Sequence, residues 1–346
     1  MVNFIYSLMT DKRKGVIFAP LKAALYILSI LYAMAIFARR LLYRFKILKS
    51  HSVPIKVISV GNLTLGGTGK TPFTIALAGI LENELKRSAA VLIRGYGWDE
   101  QALLKKNMPD IPVLVGEDRA KSAHKAIRLY GSQFAILDDG FQHWELKRDL
   151  DIVLVDARNP FGNGRLFPRG VLREPLSALK RAHVVVLTKV NKASPSHLEA
   201  LRSRIRAINS HVVFLEAVHR PKYLYDPKAR KNRDIFFAKG KKVILVSSIG
   251  DPEYFEETAK DLGAVVLEHI SFGDHHNYTL RDVETIIRRC GGRSLDFLIT
   301  TEKDAVKFAR MSFSFGAYTM MQLAIEMEIT AGKELLVARL NSLYSR

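Results

Sequence analysis

Beyond residue 50 the hydrophobic positions fall into two alternating patterns: short continuous apolar runs, and longer stretches in which apolar residues recur at helical spacing. Continuous runs at 57–60, 89–93, 112–115, 134–137, 152–155, 183–187 and 211–215 predict strands buried on both faces, and the stretches 70–85, 119–130, 174–181 and 196–209 predict the helices between them. That alternation is the signature of an α/β fold with a mostly parallel sheet. A polar, basic stretch at 219–234 interrupts it and reads as a boundary. A shorter series follows, with strands expected at 243–247 and 297–300, helices at 252–262 and 280–289, and a closing helix at about 331–344. The expected division is an N-terminal helical segment over 1–50, a core domain over 51–220 and a smaller αβ domain over 221–346. The chain shows no internal repeat and no low-complexity tract.

The N-terminal segment has a different pattern. Residues 15–38 are largely apolar with Lys22 as the only charge, and they are flanked by Lys12, Arg13 and Lys14 on one side and by Arg39, Arg40, Arg44, Lys46 and Lys49 on the other. The run is long enough to cross a bilayer. Pro20, Lys22, the tyrosines and the basic flanks fit equally a helix lying in the membrane interface, and a buried core helix is the third reading. A cleaved signal peptide is not expected, because the run ends in Ala-Arg-Arg without a small-residue cleavage site.

Composition narrows the partner. The chain has 346 residues, 48% of them hydrophobic, which is enough for more than one sizeable core. Its single cysteine, Cys290, excludes an intramolecular disulfide and points to a reducing compartment. A net charge of +19 calls for anionic partners. A nucleic-acid reader would satisfy that charge too, but no recognisable reading motif is present, so no nucleic acid is expected.

The most specific chemistry follows the 57–60 strand, where Thr64-Leu65-Gly66-Gly67-Thr68-Gly69-Lys70-Thr71 leads into an apolar-periodic helix. Glycines let backbone N–H groups turn toward phosphates, a lysine neutralises them, and a threonine hydroxyl at the helix start can ligate Mg²⁺. The usual pattern has glycine where Thr64 stands. Acidic groups for the metal are available at the 134–137 strand exit, as Asp138 and Asp139, with Asp156 after the 152–155 strand as a rival. Arg173 and Glu174, set between Gly170 and Pro175, could contact phosphate and complete a metal shell, or could simply begin a helix. Arg94-Gly95-Tyr96-Gly97 is a flexible basic loop. Glu117 and Asp118 after the 112–115 strand, and His275 in Gly273-Asp274-His275-His276, are candidates for accepting a proton, with helix capping as the alternative. Adjacent histidines project apart, so His275 and His276 do not read as a metal site.

Taken together these motifs resemble the tetraacyldisaccharide 4′-kinase family. The resemblance is carried by Val60-Gly61-Asn62 with Gly66 to Pro72, Arg94 to Gly97, Asp138-Asp139-Gly140-Phe141-Gln142-His143, Asp156-Ala157 with Phe161 to Gly164, Leu172-Arg173-Glu174-Pro175, Asp274-His275 and Thr301-Glu302-Lys303-Asp304-Ala305, in family order over about residues 20–310. It implies a P-loop core, a smaller C-terminal αβ domain joined by a β linker, and a membrane-associated N-terminal helix. The implied activity is transfer of the ATP γ-phosphate to the 4′-hydroxyl of a tetraacylated disaccharide 1-phosphate in lipid A biosynthesis, with ATP and Mg²⁺ as cofactors. The resemblance implies an enzyme at the cytoplasmic face of a Gram-negative inner membrane, with the lipid A disaccharide precursor and the anionic membrane surface as partners, and a monomer is expected. On this mapping Lys70 and Thr71 bind phosphate and metal, Asp138 and Asp139 belong to the metal region, Arg173 and Glu174 support the γ-phosphate and metal, and His275 assists the base.

One departure stands out. The family's catalytic aspartate lies in a Gly-Asp-Glu run, whereas the order here is Gly116-Glu117-Asp118; Glu117 is the expected base and Asp118 the alternative. A rival function, a membrane-attached P-loop switch or motor, draws on Thr188-Lys189-Val190-Asn191, which resembles a guanine-reading run. Asn191 stands where a carboxylate would be needed to accept guanine's hydrogen bonds, which favours ATP.

Overall fold

The structure, a computed structural model, describes all residues except Met1, Lys14, Tyr96, Ser312, Ser314, Ser345 and Arg346, together with the side chains of Val2 and Asn3. Lys14 of the basic flank and Tyr96 of the 94–97 loop therefore fall outside the described residues. The chain opens with α1 (Val2–Met9), a short 3-10 turn (Val16–Phe18) and the 26-residue α2 (Ala19–Arg44). Of α2, Leu25 and Ser29 are buried, while Ile27, Leu31, Met34 and Phe37 are exposed. It is not the core helix that its apolar content also allowed.

Next come β1 (Lys56–Asn62), α3 (Lys70–Gly79), β2 (Ala89–Ile93), α4 (Trp98–Asn107), β3 (Val113–Val115), α5 (Arg119–Tyr130), β4 (Phe134–Asp138) and β5 (Leu150–Asp156). They are followed by β6 (Val184–Thr188), α6 (Pro195–Arg206), β7 (Val213–Asp226), β8 (Lys231–Arg233), β9 (Lys242–Ser247), α7 (Pro252–Asp261) and β10 (Val265–Ser271). The last elements are α8 (Leu280–Cys290), β11 (Phe297–Thr301), α9 (Glu302–Phe308), β12 (Met320–Ala331) and α10 (Lys333–Tyr344).

These elements form two compact units. The first comprises residues 1–95, 108–219 and 327–346. Its strands run parallel in the order β7-β6-β5-β1-β4-β2-β3. Every residue of β2, β4 and β6 is buried, the reason their sequences read as unbroken apolar runs. One apolar cluster sets Ala123 and Ala126 of α5 against Val57, Leu92 and Leu137. Another sets Leu198, Leu201 and Ile205 of α6 against Val153, Val155, Val185 and Leu187. β1 is central, between β4 and β5, so the exits of all three strands converge on the turn that follows Asn62.

The second unit comprises residues 96–107 and 220–326, with parallel strands in the order β10-β9-β11-β12. Phe255 and Ala259 of α7 pack with Val243, Leu245 and Ile299, and Val283, Ile286 and Cys290 of α8 pack with Ile244, Val246 and Leu298. α8 starts on a reciprocal cap between Thr279 and Asp282.

Several elements differ from the pattern-based expectation. The polar stretch at 219–234 is not a break in structure: β7 runs through it to Asp226 and turns back as β8. Its polarity is absorbed in that hairpin, where the Asp226 carboxylate accepts from the Lys228 and Ala229 amides and from Arg233. The helix expected over 70–85 is α-helical only to Gly79 and continues as a π-helical turn, Ile80–Glu84. The 174–181 segment is a 3-10 helix, Leu176–Arg181. α4 lies in the second unit although the chain reaches it directly from β2, and α10 lies in the first. Both are on the other side of the expected division at residue 220.

Candidate active site

The glycine-rich turn between β1 and α3 is held from its carbonyl side. Thr188 Oγ1 donates to the Thr68 carbonyl at 3.1 Å, and Lys189 Nζ donates to the Gly67 carbonyl at 2.8 Å. Asn62 at the end of β1 donates to the Thr64 carbonyl and to Thr68 Oγ1, and its own oxygen accepts from Lys70 Nζ at 3.4 Å. Gly69, the residue before α3, has φ 91°. A Cβ there would also meet His219 Nε2 at 2.6 Å and Met327 at 2.7 Å, so only glycine fits. Such an arrangement, with carbonyls bonded outward ahead of a helix N-terminus, is a phosphate cradle.

Thr64 and Leu65 serve the turn differently from expected. Thr64 forms an antiparallel bridge with Leu172, the Leu65 amide donates to the Val171 carbonyl, and the Arg173 amide donates to the Leu63 carbonyl. These two residues join the turn to the segment that carries Arg173, and the Leu65 amide is not available to a phosphate.

Charge around the cradle is compensated in pairs. Lys70 Nζ lies 3.6 Å from Asp139, and Arg173 donates to both Asp139 oxygens at 2.8 and 2.9 Å. Burial acts to raise the Asp139 pKa, but Lys70 and Arg173 hold it below the usual carboxylate range. Asp138, next to it, faces the start of α3 and takes hydrogen bonds from Thr71 at 3.4 Å and Thr74 at 3.2 Å. Of the three aspartates considered for the metal, Asp138 is the one placed beside Thr71. Asp139 is occupied by the two cations, and Asp156 is paired with Lys189 at 2.6 Å and with Arg158. The hydroxyl and carboxylate oxygens of Thr71 and Asp138 are hard donors suited to a Mg²⁺ ion that keeps part of its water shell.

Glu174, expected in the same shell, is buried and accepts two hydrogen bonds from Arg181, whose guanidinium also lies 4.4 Å from the rings of Phe141 and Trp144. Arg94 is exposed. Arg119, which the sequence reading passed over, is buried at the start of α5 and donates to the Gly116 carbonyl. Burial and Arg94 push its pKa down to about 10, while Asp138 and Asp139 act against the shift.

In the second unit, His275 sits in the left-handed region with φ 59° and faces three acids: Asp99 at 3.6 Å, and Glu100 and Asp274 at 3.8 Å each. Asp99 is buried, yet His275, Lys303 and Lys307 keep it ionised. In return the nearby Asp99 carboxylate raises the His275 pKa above the ordinary 6.5. The Thr301–Ala305 motif builds this cluster. Thr301 caps α9, Lys303 reaches His275 at 3.2 Å, and Asp304 holds Lys307, which stands 3.5 Å from Asp99.

The two acids expected to accept the proton, Glu117 and Asp118, belong to the first unit. Asp118 instead caps α5, accepting from the Lys121 amide at 2.9 Å, and Glu117 is exposed beside it. The acid that His275 does meet was visible in Gly97-Trp98-Asp99-Glu100, where glycine, aspartate and glutamate keep the order of the resemblance with Trp98 between them.

The sequence pattern of the tetraacyldisaccharide-1-P 4′-kinase family matches residues 21–101 and 97–344. A tetraacyldisaccharide 4′-kinase of Halothermothrix orenii is 40% identical over 325 residues, covering 84% of each chain. One from Elusimicrobium minutum is 37% identical over 335 residues, covering 90% of this chain and 88% of its own. The crystal structure of LpxK from Aquifex aeolicus in complex with ATP superposes with a TM-score of 0.70 at 28% identity, covering 93% of this chain and 99% of its own.

Two outcomes follow from this geometry. Asp118→Ala should cost about 1 kcal/mol of stability through loss of the cap, while Glu117→Gln and Asp118→Asn keep kcat near wild type; urea unfolding and steady-state kinetics check both, and a large kcat loss in Glu117→Gln would return the base to that loop. Burial pushes His219 down to about 3 and His143 down to about 4. Both are neutral in the folded protein, but in the unfolded chain each binds a proton near pH 6.5. The unfolded state therefore gains protons first as pH falls, and thermal stability should decline from about pH 6.5 toward pH 4. A Tm that stays flat over that range contradicts the assignment.

Proposed function

The chain belongs to the tetraacyldisaccharide-1-P 4′-kinase family, and on that premise we propose how its residues share the transfer of the ATP γ-phosphate to the 4′-hydroxyl of a tetraacylated disaccharide 1-phosphate. The enzyme is an ATP-dependent lipid kinase of lipid A biosynthesis. Such transfer depends mainly on positioning and charge neutralisation. The 66–71 turn holds the β- and γ-phosphates with Lys70 as their counter-charge. Thr71 and Asp138 would hold Mg²⁺, which when bound neutralises charge on the phosphate oxygens. Arg173 leaves Asp139 for the γ-phosphate, and Asp139 keeps Lys70 and Arg173 in place when no phosphate is present. Arg119 and Arg94 add positive charge at the same strand exits, and Glu174 joins the metal shell only by giving up Arg181.

The observation that carries the role assignment is the buried Asp99 carboxylate facing the half-exposed His275 ring. An alcohol acceptor must lose its proton as the new P–O bond forms, and an imidazole oriented by a carboxylate is suited to take it. The pair, in place of Glu117 or Asp118, accepts the 4′-hydroxyl proton. The nucleotide-driven switch loses its main support, because Lys189 is engaged with Asp156 and the Gly67 carbonyl as part of the turn's scaffold.

At the membrane, α2 lies in the interface. Its mid-length residues Ser29 and Tyr32 hydrogen-bond to the backbone of residues 166–173, a loop that could not follow the helix into hydrocarbon. The exposed Ile27, Leu31, Met34 and Phe37 enter the lipid, and the basic flanks meet anionic headgroups. ATP supply places the enzyme at the cytoplasmic face of the inner membrane, and it acts there as a monomer.

Incubation with γ-labelled ATP, Mg²⁺ and the disaccharide 1-phosphate in detergent should place label at the 4′ position, and Lys70→Ala should reduce transfer by at least about 10²–10³-fold with the fold intact. Label in free phosphate alone would favour the switch. Because His275 must be neutral to accept a proton and its pKa is raised, kcat/KM should climb with pH through a value above 6.5. Asp99→Asn should move that limb to lower pH and lower kcat by about 10²–10⁴-fold. An unmoved limb in Asp99→Asn would dissociate the two residues.

A further inference from the structure

Two routes lead from α2 to the neighbouring residues Arg173 and Glu174. Along the first, Leu25, Ser29 and Tyr32 form one stripe at helical spacing. The Ser29 hydroxyl donates to the Leu166 carbonyl at 2.9 Å and accepts from the Arg169 amide at 2.8 Å; one turn later the Tyr32 hydroxyl donates to the Arg173 carbonyl at 2.9 Å. The Tyr32 ring meets Phe167 edge-on at 5.7 Å. Because the Arg173 amide donates to Leu63 at 2.7 Å, the backbone of this arginine is held between the helix and the entry of the glycine-rich turn. Its guanidinium then reaches Asp139, which faces Lys70. Along the second route, the Tyr43 ring packs on Trp144 at 5.7 Å, Trp144 faces the Arg181 guanidinium, and Arg181 holds Glu174.

A leucine at position 32 would serve an apolar docking stripe as well as tyrosine does. The hydroxyl is what reaches the carbonyl of a residue whose side chain lies in the cradle. We propose that Tyr32 is a positioning residue: its hydroxyl fixes the Arg173 backbone against α2 and so sets the guanidinium beside Asp139 and Lys70, coupling the seating of the membrane helix to the phosphate site. The inference rests on the kinase reading for its activity readout, but not for its structural one.

The test is Tyr32→Phe in the full chain, which keeps the ring and removes only the hydrogen bond. Binding to vesicles of phosphatidylglycerol and phosphatidylethanolamine and the KM for ATP should match wild type. kcat should fall by about three- to tenfold, the range of one net hydrogen bond, and amide hydrogen exchange over 166–173 should quicken. In an Arg173→Ala background the same substitution should lower kcat no further, because its effect passes through the missing side chain. Wild-type kcat and exchange in Tyr32→Phe, or an equal fractional loss in both backgrounds, overturns the proposal. If the wild-type protein transfers no phosphate to the disaccharide, the kinase reading fails, and the exchange of residues 166–173 still decides whether Tyr32 fixes this segment.

Discussion

A site built to receive a highly charged anion has to store its cations when the anion is away, and this requirement organises the cradle. Lys70 and Arg173 would repel each other across the turn, and Asp139 between them makes their approach stable. Lys189, almost fully buried, is tolerated because Asp156 stands 2.6 Å away and the Gly67 carbonyl takes another of its protons. Asp139 and Lys189 both adopt left-handed backbone, as does His275 in the second unit. Non-glycine residues rarely hold that conformation unless their surroundings compel it. In each of the three, the unusual backbone brings a side chain to a charged partner.

The same logic separates what could be read from the sequence from what could not. Parallel strands buried on both faces leave continuous apolar runs, so β1, β2 and β4 to β6 were legible to within two residues at each end. The glycine-rich turn was legible because its chemistry is local. β7 and β8 were hidden because Asp226 and Arg233 neutralise one another across a hairpin that the sequence shows only as a polar stretch. The division of work among the carboxylates was hidden for a similar reason: Asp138, Asp139, Asp156 and Glu174 all follow plausible strands or turns, and only their partners tell them apart. The proposed acceptor pair was harder to see than Glu117 because a sequence motif is matched most readily through contiguous residues, while Trp98 separates Gly97 from the Asp99-Glu100 pair.

α2 meets two demands that normally conflict. A helix lying in a membrane interface would need an apolar face free for lipid, yet it would also need contacts to its own protein to be held in place. Here one narrow stripe bearing a serine and a tyrosine meets the 166–173 loop, while the wider apolar face remains exposed. Asp11 reinforces the junction by pairing with both Lys22 of α2 and Arg169 of the loop.

The placement of α4 bears on the order in which the enzyme is made. Asp99 leaves the ribosome well over a hundred residues before His275, and residues 327–344 of the first unit emerge only after the whole second unit has been synthesised. The first unit therefore cannot complete itself as a finished module before the second has been synthesised. While the chain is still growing, Asp99 is an acidic side chain without its histidine or lysines, and the turn lacks Met327 behind Gly69. The apolar α2 has already emerged by then, so its exposed apolar face exists in the growing chain before the turn has its full surroundings.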